Sequence, residues 1–228
     1  MILRELRANW PRRSAIDARI LADFGVTFNP RLKEAQSPTA KALSAVGRYR
    51  DKLMVELSGK KTALQKVDDS FVKKEMKMSI NRLENSVKRC DVEIKKLIKS
   101  DAEMLEKQHR MELVKGIAYV ATSMLIAEVP DLGKLSDREA SSLIGVAPFN
   151  RDSGHWRGTR TNQRGLTRVR RALYMPAMCA IRHNPILKAF YEKLIARNKP
   201  HKVAITAVPR KLICLLNRIL ADPNFIPA

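Results

Sequence analysis

Cysteine is scarce. Cys90, Cys179 and Cys214 are the only three in 228 residues. They lie far apart, with no paired metal spacing, which argues against a disulfide scaffold or a zinc finger. An odd count without an export signal suits a reducing cytoplasm. Long apolar runs are missing as well. None reaches the ~18 residues of a membrane span, and Met1-Ile2-Leu3-Arg4 does not open a secretory signal, so no membrane partner is expected. No internal repeat, low-complexity tract or run of alternating strands is visible, and the expected fold is mainly α. The last shortage is of negative charge. Asp and Glu number 23 against 44 Lys and Arg, a formal net charge of +21.

What is present is 45% apolar residues, enough for a packed core. The charge excess makes a polyanion the default partner, with nucleic acid ahead of an anionic membrane. It is unevenly placed. Residues 112–150 carry 3 basic and 5 acidic side chains, whereas residues 151–228 carry 16 and 3. A solvated face usually interleaves its signs, as residues 40–111 do. The last third does not, and it reads as a phosphate-facing surface.

Residues 14–22 read as a short helix with Ser14 as N-cap and Asp17 in the first turn. Gly25, Pro30 and Pro38 mark 25–39 as a linker. The next helix is expected from Ser37-Pro38 to about Leu57, stopped by Ser58-Gly59. From Ser70 to Lys99, Ile80, Leu83, Val87, Cys90, Ile94 and Leu97 recur at spacings of three and four. This heptad seam predicts an antiparallel hairpin or a coiled coil, within the chain or between subunits. Residues 113–128 predict a buried helix entered through Gly116 and ended by Pro130. Ser136 and Glu139 form a capping-box signature for a helix ending at Gly145. The pair reads as a helix–turn–helix gripping a nucleic-acid backbone, or equally as a plain helical hairpin. Helices are expected at 167–183, 185–197 and 202–221, with Pro176 and Pro209 kinking two of them or removing a backbone bond.

Between them, residues 147–168 form a polar loop of a length that is often functional. It holds Ser153-Gly154, with Arg151, Arg157, Arg160, Arg164, Arg168 and Arg170 around it. Serine attack on a phosphodiester needs charge stabilisation at the phosphoryl oxygens and a route for the hydroxyl proton. Guanidinium groups meet the first need, and glycine permits close backbone approach. Ser-Gly is also a common turn, and clustered arginines can simply anchor phosphates. His155 and Trp156 suit base stacking or proton transfer, or packing of the loop on its own domain. Tyr174, Phe190 and Tyr191 sit at helical positions and read as core rather than as base platforms. Asp17 alone cannot make a two-metal site, which needs about four carboxylates.

Several blocks carry a family resemblance. Glu139-Ala140-Ser141-Ser142-Leu143-Ile144-Gly145-Val146-Ala147-Pro148-Phe149, followed by Asp152-Ser153-Gly154, is the most specific. Val114 to Ala118, Val169 to Met175, Asn184-Pro185, Lys199 to Ala204 and Arg210-Lys211-Leu212 complete it. With these, the chain resembles bacterial insertion-sequence transposases that join a RuvC-like DEDD nuclease half to a C-terminal transposase domain.

The resemblance implies an RNA-guided DNA recombinase with Ser153 as nucleophile, forming a phosphoseryl link to a DNA strand. It implies DNA and a guide RNA as partners, and a dimer or tetramer assembled through the coiled coil in the bacterial cytoplasm or nucleoid. Arg151, Arg157, Arg160, Arg164, Arg168, Arg170, Lys202, Arg210 and Lys211 are the expected nucleic-acid contacts. The family's four carboxylates bind Mg2+. Asp17 matches one of the last two, whereas Ser14 stands in place of the other, so this chain is expected not to hold Mg2+ stably. The implied organisation is a nuclease remnant and linker over 1–36, coiled-coil helices over 37–111 and a transposase domain over 112–228. An N-terminally shortened copy is the expectation. The alternative is a dimerising nucleic-acid-binding remnant without chemistry.

Overall fold

The computed structural model describes residues 13–28, 36–149, 161–162 and 165–225. The chain divides into two compact units, Met1–Gln36 and Ser37–Ala228. In the first unit, α1 spans Arg13–Phe28. It starts before Ser14 and runs through Gly25, six residues beyond the expected end. Phe24 and Phe28 support the extension one turn apart, with ring centroids at 4.8 Å.

The second unit is mainly α. Its helices are α2 (Pro38–Leu64), α3 (Ser70–Lys99), α4 (Ala102–Glu112), α5 (Tyr119–Glu128) and α6 (Asp137–Ile144), then α7 (Thr167–Ala172), α8 (Tyr174–His183), α9 (Pro185–Ala196) and α10 (His201–Ala221). Two two-residue strands, β1 (Pro148–Phe149) and β2 (Thr161–Asn162), lie between α6 and α7.

Helix starts follow local chemistry. Ser37 caps α2 by accepting from the Ala40 amide, and Pro38 fills N1, where no donor is needed. Asp69, Asp101 and Asn184 cap α3, α4 and α9 in the same way. The capping box of α6 forms in both directions, and Gly145 closes it in the left-handed conformation.

Helix ends depart more from expectation. α2 continues through Ser58-Gly59 to Leu64. A mid-helix glycine costs only ~1 kcal/mol, and the partner helix offsets it. Lys60 Nζ donates to Ser79 Oγ at 2.7 Å, and Lys61 pairs with Glu84 at 2.7 Å. Together with Arg50–Asp91, these contacts run in opposite directions along the two helices, so α2 and α3 are antiparallel. They make the most extensive helix pair of the fold. Ile80, Val87, Cys90 and Ile94 of the seam are buried, with Leu43, Leu53 and Leu57 on α2. The partner of the heptad seam is thus α2 of the same chain.

α5 starts at Tyr119 instead of near 113, because Gly116 has φ of +101° and breaks helical geometry. A Cβ there would lie 2.7 Å from the Ala180 backbone. Ala121 to Ala127 are all buried. α5 packs on α2, α4 and α7, and α6 packs on α10. The expected α5–α6 hairpin is therefore not a packed pair. The turn between them is closed from inside: Gly133 N donates to Asn217 Oδ1 at 2.8 Å, and Asn217 Nδ2 donates to the Leu135 carbonyl at 2.8 Å. That glycine amide is spent within the fold.

The expected 167–183 helix divides at Leu173, whose backbone stays in the right-handed helical region. Pro176 falls in the first turn of α8, where its missing N–H costs little. Pro209 does lie inside α10, buried against the core. α10 buries Val208, Leu212, Ile213, Leu216 and Ile219 completely. One apolar cluster runs from Leu43 and Ile98 through α5 to α10, so the hairpin and the C-terminal helices share a core. No helix among the described residues is long and apolar enough to cross a membrane.

Gly116→Ala tests this geometry. Overpacking against Ala180, added to the strained φ, should destabilise the chain by roughly 1–3 kcal/mol, read as a lower urea midpoint. An unchanged midpoint would contradict the close approach.

Candidate nucleic-acid interface

Ser153 and its neighbours Arg151, Arg157, Arg160 and Arg164, with His155 and Trp156, lie outside the described residues. The structure describes the stem that carries them. Beyond Gly145, the amides of Val146 and Ala147 both donate to the Ser141 carbonyl, at 2.9 and 3.2 Å. β1 then pairs antiparallel with β2, Pro148 opposite Asn162 and Phe149 opposite Thr161. This two-rung ladder brings the ends of the intervening segment together, a pairing that sequence periodicity does not reveal. Gly165, at φ of +70°, passes against the end of α6. A Cβ there would meet Gly145 N at 2.5 Å and the Leu143 carbonyl at 2.6 Å. Leu166 N donates to that carbonyl at 3.0 Å. Arg170 braces the stem from α7, donating to the Gly145 carbonyl at 3.2 Å.

Arg168, expected to face phosphate, is half-buried and paired within the protein. Its Nε pairs with Asp51 on α2 and its Nη1 with Glu128 on α5, each at 2.5 Å. Ser44 Oγ donates to the same Glu128 oxygen at 2.8 Å, and Arg48 approaches from the other side at 3.4 Å. The Glu128 side chain is only 10% exposed. It is the last residue of α5, where the helix dipole disfavours a carboxylate, so the two guanidinium groups also offset that. Burial by itself raises the Glu128 carboxyl. The Ser44 hydrogen bond and the Arg48 and Arg168 charges outweigh it and hold the group below its usual range. Gly47 leaves the room: a Cβ there would sit 2.7 Å from Arg168 Nη2. Beside the cluster, Gly47, Asp51 and Arg168 line a cavity of about 20 Å³, room for one water and no substrate. A second pair, Arg50–Asp91 at 2.5 Å, ties α2 to α3 nearby. The sequence holds a signal for neither partner choice, since Asp51 and Glu128 are far from Arg168 along the chain.

Other cations remain on the surface. Lys202, Arg210 and Lys211 are exposed on α10. Lys202, Thr206 and Arg210 follow one line at spacings of four. Arg210 and Lys211 act on Cys214, whose thiol is nonetheless raised by burial. Among the described residues after 160, ion pairs are made by Arg168 and by Lys188 with Glu192. Arg171 and Arg182 are exposed on α7 and α8. Tyr174 is 47% exposed and Met175 63%, against the core position expected for Tyr174. Phe190 and Tyr191 do pack on the core.

Asp17 is exposed on α1. Among the described residues no three His, Cys, Asp or Glu side chains gather as metal ligands. One exposed carboxylate does not fit a divalent cation that needs several hard oxygen ligands.

Residues 108–192 match the family described as Transposase IS116/IS110/IS902. This segment is transposase-like. It runs from the end of α4 through the stem and into α9, enclosing Ser153, Glu128 and Arg168. The Insertion element IS900 uncharacterized 42 kDa protein of Mycobacterium paratuberculosis is 25% identical over 149 residues. That alignment covers 63% of this chain and 37% of the relative. The chain thus spans well under half of the curated relative it matches.

Arg168→Ala should destabilise the chain by about 2 kcal/mol, since Glu128 loses a charged hydrogen bond while mostly buried. Because the Glu128 carboxyl is lowered in the fold, its contribution is present above the ordinary carboxylate value. It is lost as pH falls through the folded value. Thermal melts of the wild type should therefore fall more steeply on acidification below about pH 4.3 than those of Glu128→Gln. Parallel pH profiles would contradict the cluster.

Proposed function

We propose that this chain works as the strand-exchanging part of an insertion-sequence DNA recombinase, with Ser153 as nucleophile. The supporting observation is that the transposase match runs through a stem-clamped segment within an acid-free run. From Ser153 to Tyr191 there is no Asp or Glu and there are eight Lys and Arg. Ser153 Oγ attacks a DNA phosphorus and forms an O–P bond. The bond to the leaving sugar oxygen breaks, and that oxygen takes up a proton. The serine proton passes to a base, for which His155 is the adjacent candidate. Arg151, Arg157, Arg160 and Arg164 neutralise the phosphoryl oxygens, each guanidinium able to bind two. The phosphoseryl link stores the phosphodiester energy for rejoining when a sugar hydroxyl attacks in reverse.

Lys202, Arg210 and Lys211 hold phosphates away from the reacting bond, and Arg170 steadies the stem. Arg168 acts as a strut instead of a phosphate ligand. A structured guide RNA is the proposed second polyanion. A dimer or tetramer would assemble through the outer faces of the hairpin, where Val55, Phe71 and Val92 are exposed, because its seam is filled by α2. Asp17 alone supplies no metal-dependent cleavage. Mg2+-dependent cutting by the purified 228-residue chain, abolished in Asp17→Ala, would overturn that last point.

The central test is a denaturant-resistant protein–DNA adduct on a nicked or suicide substrate, formed with guide RNA and any complementing nuclease half present. It should disappear in Ser153→Ala. An adduct surviving Ser153→Ala would exclude this nucleophile. Binding without adduct under every complementation would favour a remnant that only binds and dimerises. Each of Lys202→Gln, Arg210→Gln and Lys211→Gln should lower the slope of log affinity against log salt by about 1. Unchanged slopes would remove α10 from the interface.

A further inference from the structure

Tyr174 stands exposed at the junction of α7 and α8, on a surface that also presents Arg171, Met175 and Arg182. The junction does not turn the chain away. Leu173 has φ of −77° and ψ of −11°, Leu173 N donates to Val169 O, and Ala177 N donates to Leu173 O, both at 3.0 Å. Residues 167–183 therefore follow one nearly continuous helical path with a single buried line, Val169, Leu173, Ala177 and Ala180. Opposite that line the helical period places Arg171, Met175 and Arg182 together, with Tyr174 on the shoulder beside Arg170. Met175 is 63% exposed, Arg171 and Arg182 are exposed, and the ion pairs among the described residues after 160 involve neither. The nearest carboxylates in sequence are Asp152 and Glu192.

An aromatic ring with exposed guanidinium groups to either side fits a stacked base with phosphates on either side. Duplex DNA offers no free base face along its length, whereas an unpaired strand does. The ridge also starts at the stem: Thr167 opens α7, and Tyr174 lies about 10 Å further along the helical path.

We propose that Tyr174, with Arg171 and Arg182, forms a platform for an unpaired DNA segment next to the strand that Ser153 attacks. This rests on the proposed function and adds the state of the DNA to it. Tyr174 stacks on a base and Met175 widens the apolar step. Arg171 and Arg182 hold the phosphates to either side.

The test is equilibrium binding of the full chain to a labelled oligodeoxynucleotide, its duplex and the matching oligoribonucleotide. Tyr174→Ala should weaken single-stranded DNA binding about tenfold and leave the duplex within about twofold, because base stacking is lost and no charge is. Tyr174→Trp should keep or improve the single-strand affinity. Salt slopes should stay unchanged in Tyr174→Ala and fall by about 1 in Arg171→Gln and Arg182→Gln. Equal losses on single strand and duplex, or none on either, would overturn the platform. A Tyr174-dependent loss larger on RNA than on DNA would overturn the choice of DNA. A wild-type chain that binds none of the three would instead sink the proposed function itself. Tyr174→Phe, which keeps the ring, should retain single-strand binding and so separates stacking from a role of the hydroxyl.

Discussion

A helix without a polar face has to be enclosed on every side, and the second unit is arranged around one. Ala121 to Ala127 of α5 are buried without exception, so α2, α4 and α7 all lie against it. Enclosure brings a difficulty at its end. Glu128 closes the helix where the dipole disfavours a carboxylate and where water is largely excluded. The solution is a shared cluster in which Ser44, Arg48 and Arg168 converge on one carboxylate. Hydrophobic burial gathers the helices, and the cluster selects how α2 and α7 meet.

That selection matters for function because α7 is the outgoing arm of the stem. Arg168 lies one residue into it and is tied to the hairpin through Asp51 and to the central helix through Glu128. On the incoming side, α6 is fixed by its capping box and packs on α10. Gly145 and Gly165 let the two arms touch, and the β1–β2 ladder joins them above that point. The described stem is held by three independent sources: glycine contact, backbone pairing and a partly buried ion cluster.

Much of this architecture is legible from local chemistry. Ser37-Pro38, Ser136 with Glu139, and Asn184-Pro185 each start a helix for reasons contained in a few residues. The α3 seam is readable because its spacing is regular over several turns. The helix ends that differ from expectation share another cause. Gly59 and Gly25 look like stops, yet a neighbouring helix or an aromatic pair one turn away offsets a local cost of ~1 kcal/mol. Gly116 looks like an entry into a helix, but its φ is set by contact with Ala180, far along the chain. Pro176 looks like a kink, yet Leu173 stays in the right-handed helical region and the path from α7 into α8 is nearly continuous.

The candidate site divides in the same way. The concentration of cations in the last third, the Ser153-Gly154 pair and the exposed cations of α10 follow from residue type and order. What each cation does does not follow. Arg168 and Arg171 are three residues apart in one basic run, yet one is clasped by two carboxylates and the other faces solvent. Tyr174 sits at a core-like spacing and is surface. The sequence by itself determined the class of fold, most helix starts and the basic charge of the last third, because these depend on composition and on neighbours a few residues away. Only the tertiary structure decided which charges are spent internally, because Asp51, Glu128 and Arg168 meet through packing that no local pattern encodes.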